Sequence, residues 1–248
     1  MGTRLGIVFT GGEGPAPQTL RRFFDTLPGR VTAAADSGLI LAEAAGLKPD
    51  WIVGDMDSLD SKLSTDSRLS IENKLSADER LHRYPPERVI RYPAEKDYTD
   101  TELAFNLLRE KGCGEIWIVG GGGGRLDHLF GIRDLFERNV CPRRWITASE
   151  DIYCIDGSGY PNCLKMRIGQ AASGGAVTSD NLVSVFPLGG GPWKAESRGL
   201  KWPLDNVYWE RGLYGLSNVA VAEEIAINAV QGRFMVIFPG LEEELCRL

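Results

Sequence analysis

Gly54-Asp55-Met56-Asp57-Ser58-Leu59 sets two carboxylates two positions apart, directly after the apolar run Trp51-Ile52-Val53. Ligands of open α/β sheets bind beyond the carboxyl ends of the strands, and paired acids there suit a divalent cation held against a phosphate. Alone, the same residues also make an Asx turn, in which Asp and Ser satisfy the backbone of a loop. Company favours the cation. Asp36 follows the run 31–35, Asp97 and Asp100 lie in Lys96-Asp97-Tyr98-Thr99-Asp100 after the run 89–92, and Asp127 follows a glycine-rich loop. At one edge of a parallel sheet these acids would repel one another and raise some of their pKa values. One or two Mg²⁺ ions would turn them into a platform for nucleotide phosphates. Asp100 could instead simply favour a helix N-terminus electrostatically.

Gly120-Gly121-Gly122-Gly123-Gly124-Arg125-Leu126-Asp127-His128 is the second element with chemical promise. Consecutive glycines allow close backbone approach, and Arg125 adds a fork of donors suited to phosphate oxygens. The loop lacks the Gly-Lys-Ser/Thr of a Walker A motif and the spacing of a Gly-x-Gly-x-x-Gly fingerprint. His128, just inside a helix, reads as a packing or hydrogen-bonding residue, and His82 as a surface residue. Trp202, in Gly199-Leu200-Lys201-Trp202-Pro203-Leu204, would be core by default; exposed, its face suits a flat or cationic ring.

The elements that position these residues fall into two styles. Up to about residue 149, short continuous apolar runs (5–9, 31–35, 51–53, 89–92, 116–119) end in Gly/Asp-rich turns and alternate with helical patterns, which predicts a parallel sheet covered on both faces. Thr99-x-x-Glu102 is a capping box ahead of Leu103, Ala104, Leu107 and Leu108, with Gly112 as the stop. Residues 59–88 read as a helical excursion with loops. Beyond residue 149 the runs 152–155, 182–186, 207–209 and 234–238 are separated by Gly/Pro/Asn turns, predicting an all-β module, a small sandwich or barrel. The expected organisation is an N-terminal parallel-sheet α/β catalytic domain over 1–149, then a smaller C-terminal all-β sandwich domain over 150–248.

Of 248 residues, 43% are apolar and 25% charged, as in ordinary globular proteins. A net charge of −6 gives no general attraction to nucleic acid or an anionic membrane. The five cysteines are scattered without a Cys-x-x-Cys pair, which argues against a disulfide framework or a zinc site and fits a reducing cytoplasm. Neither a signal-peptide pattern nor a membrane-length apolar segment is expected.

Together the motifs resemble the thiamine pyrophosphokinase family. Asp36-Ser37-Gly38, Pro49-Asp50 leading to the Gly54 motif, Lys96-Asp97-Tyr98-Thr99-Asp100-Thr101-Glu102, Gly124-Arg125-Leu126-Asp127-His128, the Trp202 motif and Ser217-Asn218 occur in the family's order across most of the chain. The resemblance implies transfer of the terminal diphosphate of ATP to the hydroxyl of thiamine, with release of AMP, and a homodimer whose active sites are shared between subunits. It implies Asp55, Asp57 and Asp100 as Mg²⁺ ligands, and Asp127 as a catalytic residue orienting substrate or completing the metal shell. It also implies Asp36, Lys96, Asp97, Thr99, Gly123, Gly124 and Arg125 on the ATP side, and Trp202, Ser217 and Asn218 around thiamine. Two other readings stay open: a pyrophosphokinase for another hydroxymethyl heterocycle such as a pterin, and a non-catalytic thiamine or nucleotide sensor.

Overall fold

The structure, a computed structural model, describes residues 3–59, 76–159, 161–167 and 181–240. The chain forms two compact units. One takes the described residues up to Ile132 together with Ile146–Ala148; the other takes Arg133–Trp145 and the described residues from Ser149 onward.

In the first unit, strands β1 (Leu5–Thr10), β2 (Val31–Ala35), β3 (Trp51–Gly54), β4 (Val89–Arg91) and β5 (Glu115–Gly120) lie in the order β5-β1-β2-β3-β4, every neighbouring pair parallel. Their unbroken apolar runs follow from two covered faces, because successive side chains point to opposite sides. Ile7 and Phe9 enter a core with Leu20, Phe23 and Phe24 of helix α1 (Pro17–Asp25) and Leu39 and Ala42 of α2 (Gly38–Ala44). Val8, between them, enters the opposite core. Asp50 fixes the register near the start of β3 by accepting hydrogen bonds from Thr32 N at 2.8 Å and Thr32 Oγ1 at 2.9 Å. Within the predicted excursion 59–88, a short helix α3 (Ala77–Leu81) is found, and residues 60–75 lie outside the described residues.

Helix α4 (Asp100–Glu110) opens on the predicted capping box: Glu102 N donates to Thr99 Oγ1 at 3.2 Å, and Thr99 N to Glu102 Oε2 at 2.8 Å. Its Ala104, Phe105, Leu107 and Leu108 supply the helical side of the core that receives Val8. Helix α5 (Leu126–Leu135) and strand β6 (Arg144–Ile146) lie where the chain passes between the units.

The second unit is all-β and antiparallel. Strands β7 (Glu150–Asp156), β9 (Leu182–Leu188), β11 (Gly215–Val219) and β13 (Arg233–Pro239) run in the order β11-β9-β13-β7, and β8 (Cys163–Arg167), β10 (Lys194–Arg198) and β12 (Glu224–Gln231) in the order β10-β12-β8. Val183, Val185, Phe234 and Val236 from the first set share one core with Ala195, Ile225 and Ile227 from the second, so the unit is a sandwich. At one end, Arg144 forms a buried bidentate pair with Asp151, 2.8 Å and 2.5 Å, and Tyr153 Oη–H donates to the same carboxylate at 2.7 Å.

One expected strand is absent. Residues 207–209 follow a 3-10 turn at Leu204–Asn206 and form no strand. Trp209 fills the core, edge-on to Phe234 with ring centroids 5.0 Å apart, so its run is apolar for packing and not for pairing.

Candidate active site

Parallel register brings the predicted acids to one edge. Asp36 N donates to Val53 O at 2.9 Å and Tyr92 N to Gly54 O at 3.0 Å, so the chain leaves β2, β3 and β4 side by side. Carboxylate oxygens of Asp36, Asp55 and Asp57 lie within 4.8 Å of one another. Asp57 N donates to Asp55 Oδ1 at 3.2 Å, and Met56 between them is buried in the core at φ +71°, a left-handed conformation costing about 1–2 kcal/mol that its packing must offset. Gly54, at φ +149°, opens the space: a Cβ there would lie 3.3 Å from the Asp100 carboxyl carbon and from Asp36 Cβ. The compact trio thus contains Asp36, which the sequence reading put on the nucleotide side, while Asp100 stands beside it across Gly54.

Lys96 is the cation set among these acids. Its Nζ lies 2.8 Å from Asp55 Oδ2 and 3.1 Å from Asp100 Oδ1. Electrostatics divides the group accordingly. The hydrogen bond from Lys96 holds the Asp55 carboxyl below its ordinary range. Burial, then repulsion from Asp100, Asp55 and Asp57, pushes Asp36 up to about 7. Asp57 is raised by its hydrogen bond with Asp55, and Asp100 by burial. Ser58 Oγ–H donates to Asp36 Oδ2, whereas Asp36 Oδ1 is buried with no hydrogen-bond partner. Hard oxygen donors, surplus negative charge and an orphaned buried oxygen fit a divalent cation such as Mg²⁺.

Beside the acids opens a cavity of about 560 Å³, lined by residues 10–12 after β1, Asp36 and Ser37 after β2, residues 96–101, and Gly121, Gly123, Gly124, Arg125 and His128. It lies between the ends of β1 and β5, where the strand order reverses, the usual crevice of a doubly wound sheet. Thr10 Oγ1 and Thr101 Oγ1 share a 2.6 Å hydrogen bond that ties β1 to the first turn of α4. Glu13 N donates to Gly122 O at 2.6 Å and Gly122 N to Glu13 O at 2.9 Å, so the middle of the glycine run is a bridge. A Cβ on Gly12 would meet Gly122 O at 2.8 Å.

Arg125 and Asp127 form an exposed bidentate pair, 3.1 Å and 2.5 Å. Asp127 therefore orients Arg125 and is outside the carboxylate trio. Asp97 is exposed at the cavity, and the Thr99 hydroxyl is engaged as the cap of α4. His128, expected to pack or hydrogen-bond, is not packed: it is exposed and lines the cavity. Ser58, Thr10 and Thr101 were not singled out from sequence, although Ser58 lies in the Gly54 motif and Thr101 in the motif that begins at Lys96.

In the second unit Trp202 is half exposed, with Lys201 Nζ 4.8 Å from its ring centroid. Buried Asn218 holds that loop. Its Oδ1 accepts from Trp202 N at 3.1 Å and Val219 N at 2.8 Å, and its Nδ2 donates to Trp202 O at 2.6 Å. Ser217 is exposed at φ +53°, within an irregularity of β11, and its N donates to Ser184 Oγ at 3.2 Å.

Two family models match the chain: thiamin pyrophosphokinase, catalytic domain, over residues 28–140, and thiamin pyrophosphokinase, vitamin B1 binding domain, over residues 176–233. Among solved structures, it is similar to thiamine pyrophosphokinase from Bacillus subtilis (TM-score 0.68, 21% identity, 96% of this chain and 99% of that one). It is likewise similar to the Geobacillus thermodenitrificans protein (0.62, 24%, 96% and 97%) and the Candida albicans protein (0.65, 16%, 96% and 90%). No curated protein sequence matches the chain.

Proposed function

Because the chain belongs to the thiamin pyrophosphokinase family, matched in both of the family's domains over well more than half its length, we propose that it transfers the terminal diphosphate of ATP to the hydroxyl of thiamine, giving thiamine diphosphate and AMP. One observation carries this reading. The carboxylate cluster and Lys96 lie within the stretch matched by the catalytic model and at the edge of the 560 Å³ cavity, and Trp202 with Asn218 lies within the stretch matched by the vitamin-binding model.

Asp36, Asp55 and Asp57, with Asp100 beside them, are the residues that would hold Mg²⁺, which when bound neutralises diphosphate charge. The chain's own tasks are positioning and charge. Lys96 bridges Asp55 and Asp100 and favours the ionised form of each. Arg125, aligned by Asp127, presents donors to phosphate oxygens, and Gly123 and Gly124 let a phosphate approach the backbone. Trp202 offers an aromatic face to the thiamine rings, held at its backbone by Asn218. In-line attack of the thiamine hydroxyl on the β-phosphorus then depends on how well both substrates are held. We further assign the enzyme to the cytoplasm and to a homodimer whose sites combine the two subunits.

Incubation with thiamine, ATP and Mg²⁺ followed by chromatography tests the reaction. Equal amounts of AMP and thiamine diphosphate are expected. ADP with thiamine monophosphate would overturn diphosphate transfer while leaving the cation site standing, and inertness toward thiamine with turnover of a pterin alcohol would reassign the acceptor.

A further inference from the structure

A pair of sulfurs lies in the β unit, outside the cavity and the Trp202 loop. Cys141, in the turn after α5, and Cys154, in the middle of β7, face each other with Sγ atoms 3.7 Å apart. Cys154 N donates to Arg143 O at 2.9 Å, which fixes the strand against the turn that carries Cys141. Arg233 Nη1 lies 3.4 Å from Cys141 Sγ, and its guanidinium is itself anchored, donating to Arg138 O at 2.5 Å and Glu137 O at 3.1 Å. Arg143 Nη1 is buried with no hydrogen-bond partner, and its charge acts on both thiols.

These contacts split the pair. The hydrogen bond the two thiols share, together with the charges of Arg233 and Arg143, of which Arg233 stands directly against Cys141, holds Cys141 below the ordinary thiol range, while the same hydrogen bond and burial push Cys154 up. Access splits the same way: Cys141 is 8% exposed and Cys154 0%. The less shielded thiol, set against a guanidinium, beside a fully shielded one is the arrangement of an attacking and a resolving cysteine. Inert packing of two small apolar residues would require neither guanidinium.

We propose that Cys141 and Cys154 form a reversible disulfide under peroxide, with Cys141 attacking first. The Cys141 thiolate attacks one peroxide oxygen, the O–O bond breaks, hydroxide leaves and takes up a proton as water, and Cys141 becomes a sulfenic acid. Cys154 then attacks that sulfur, the S–S bond forms, the S–O bond breaks, and a second water leaves with the Cys154 proton. Two thiols and one hydrogen peroxide thus give one disulfide and two waters, with two electrons passing from sulfur to oxygen. The sulfurs must close from 3.7 Å to about 2.05 Å, a side-chain adjustment. A small dithiol reverses the step by exchange.

The test treats the full-length reduced protein with hydrogen peroxide at neutral pH, blocks remaining thiols by alkylation and maps peptides by mass. A linked Cys141–Cys154 peptide pair is expected, lost after dithiothreitol, with Cys113 and Cys163 still alkylated. Cys154→Ser should stop at a sulfenic acid on Cys141 that dimedone traps, and Arg233→Gln should slow linkage by about tenfold or more. Both cysteines remaining alkylatable while other residues oxidise would overturn the proposal, as would linkage of either to Cys113, Cys163 or Cys246. An unchanged rate in Arg233→Gln would overturn the activation assigned to that residue. Should a variant fail to fold, the wild-type map alone decides.

Discussion

Asp55 and Asp57 differ from their neighbours because each keeps a carboxylate beside others without enough local cation to match, Lys96 being shared between Asp55 and Asp100. Asp57→Asn keeps the shape of the side chain and loses its charge, and activity should fall at least about a hundredfold, roughly 2.7 kcal/mol of barrier, with the melting curve unchanged. Near-normal turnover would return the motif to an Asx turn. Asp36 allows a second test. Its folded pKa of about 7 lies above the ordinary aspartate value of 3.8, so between those values the folded state keeps a proton that the unfolded chain has lost. Asp36 therefore makes stability fall as pH rises through that window. In chelator, Asp36→Asn should stabilise the protein relative to wild type more at pH 8 than at pH 5, read by urea unfolding; an equal effect at both would show that Asp36 titrates normally. The motif was legible in sequence because Gly, Asp and Ser cluster where a strand ends. The central place of Asp36 was not, since its neighbours are set by register across β2 and β3, which spacing along the chain does not carry.

Elements buried on both sides were the legible ones. Strands β1 to β3 and β5 announce themselves because both faces are covered, and α4 because Thr99 and Glu102 satisfy each other's backbone amides. Strand β12 was passed over for the opposite reason: Ile225, Ile227 and Ala229 point into the sandwich while Glu224 and Asn228 do not, so polar residues cut its apolar stretch short at Ile225-Ala226-Ile227. Residues 207–209 made the converse error, apolar for the sake of one buried Trp209. The loop bearing Trp202 depends on a single buried amide. Asn218→Ala would leave Trp202 N, Trp202 O and Val219 N without their partner, and should cost about 2–4 kcal/mol of stability. Because Asn218 acts through Trp202, KM for thiamine should rise several-fold while kcat holds. A variant that folds less stably yet keeps its KM would make Asn218 structural only.

At the scale of the whole molecule, the carboxylates belong to one unit and Trp202 to the other, and both family models are needed to account for the chain. The proposed homodimer assigns the two halves of each active site to different subunits, which separates it from any self-contained enzyme. Asp57→Asn and Trp202→Ala homodimers should both be crippled, the first through lost cation binding and the second through a ring contact worth roughly 1–3 kcal/mol. When the two variants are unfolded together and refolded with random pairing, about half of the dimers are mixed. In a mixed dimer both lesions fall in one site and the other site is wild type throughout, so about a quarter of all sites should regain full activity. Self-contained sites predict no gain, because every site then carries one lesion whatever its partner. Mass-tagged subunits establish that exchange has occurred; with exchange established, a mixture no more active than the mean of the two separately refolded variants would overturn the shared site and leave each subunit to work alone.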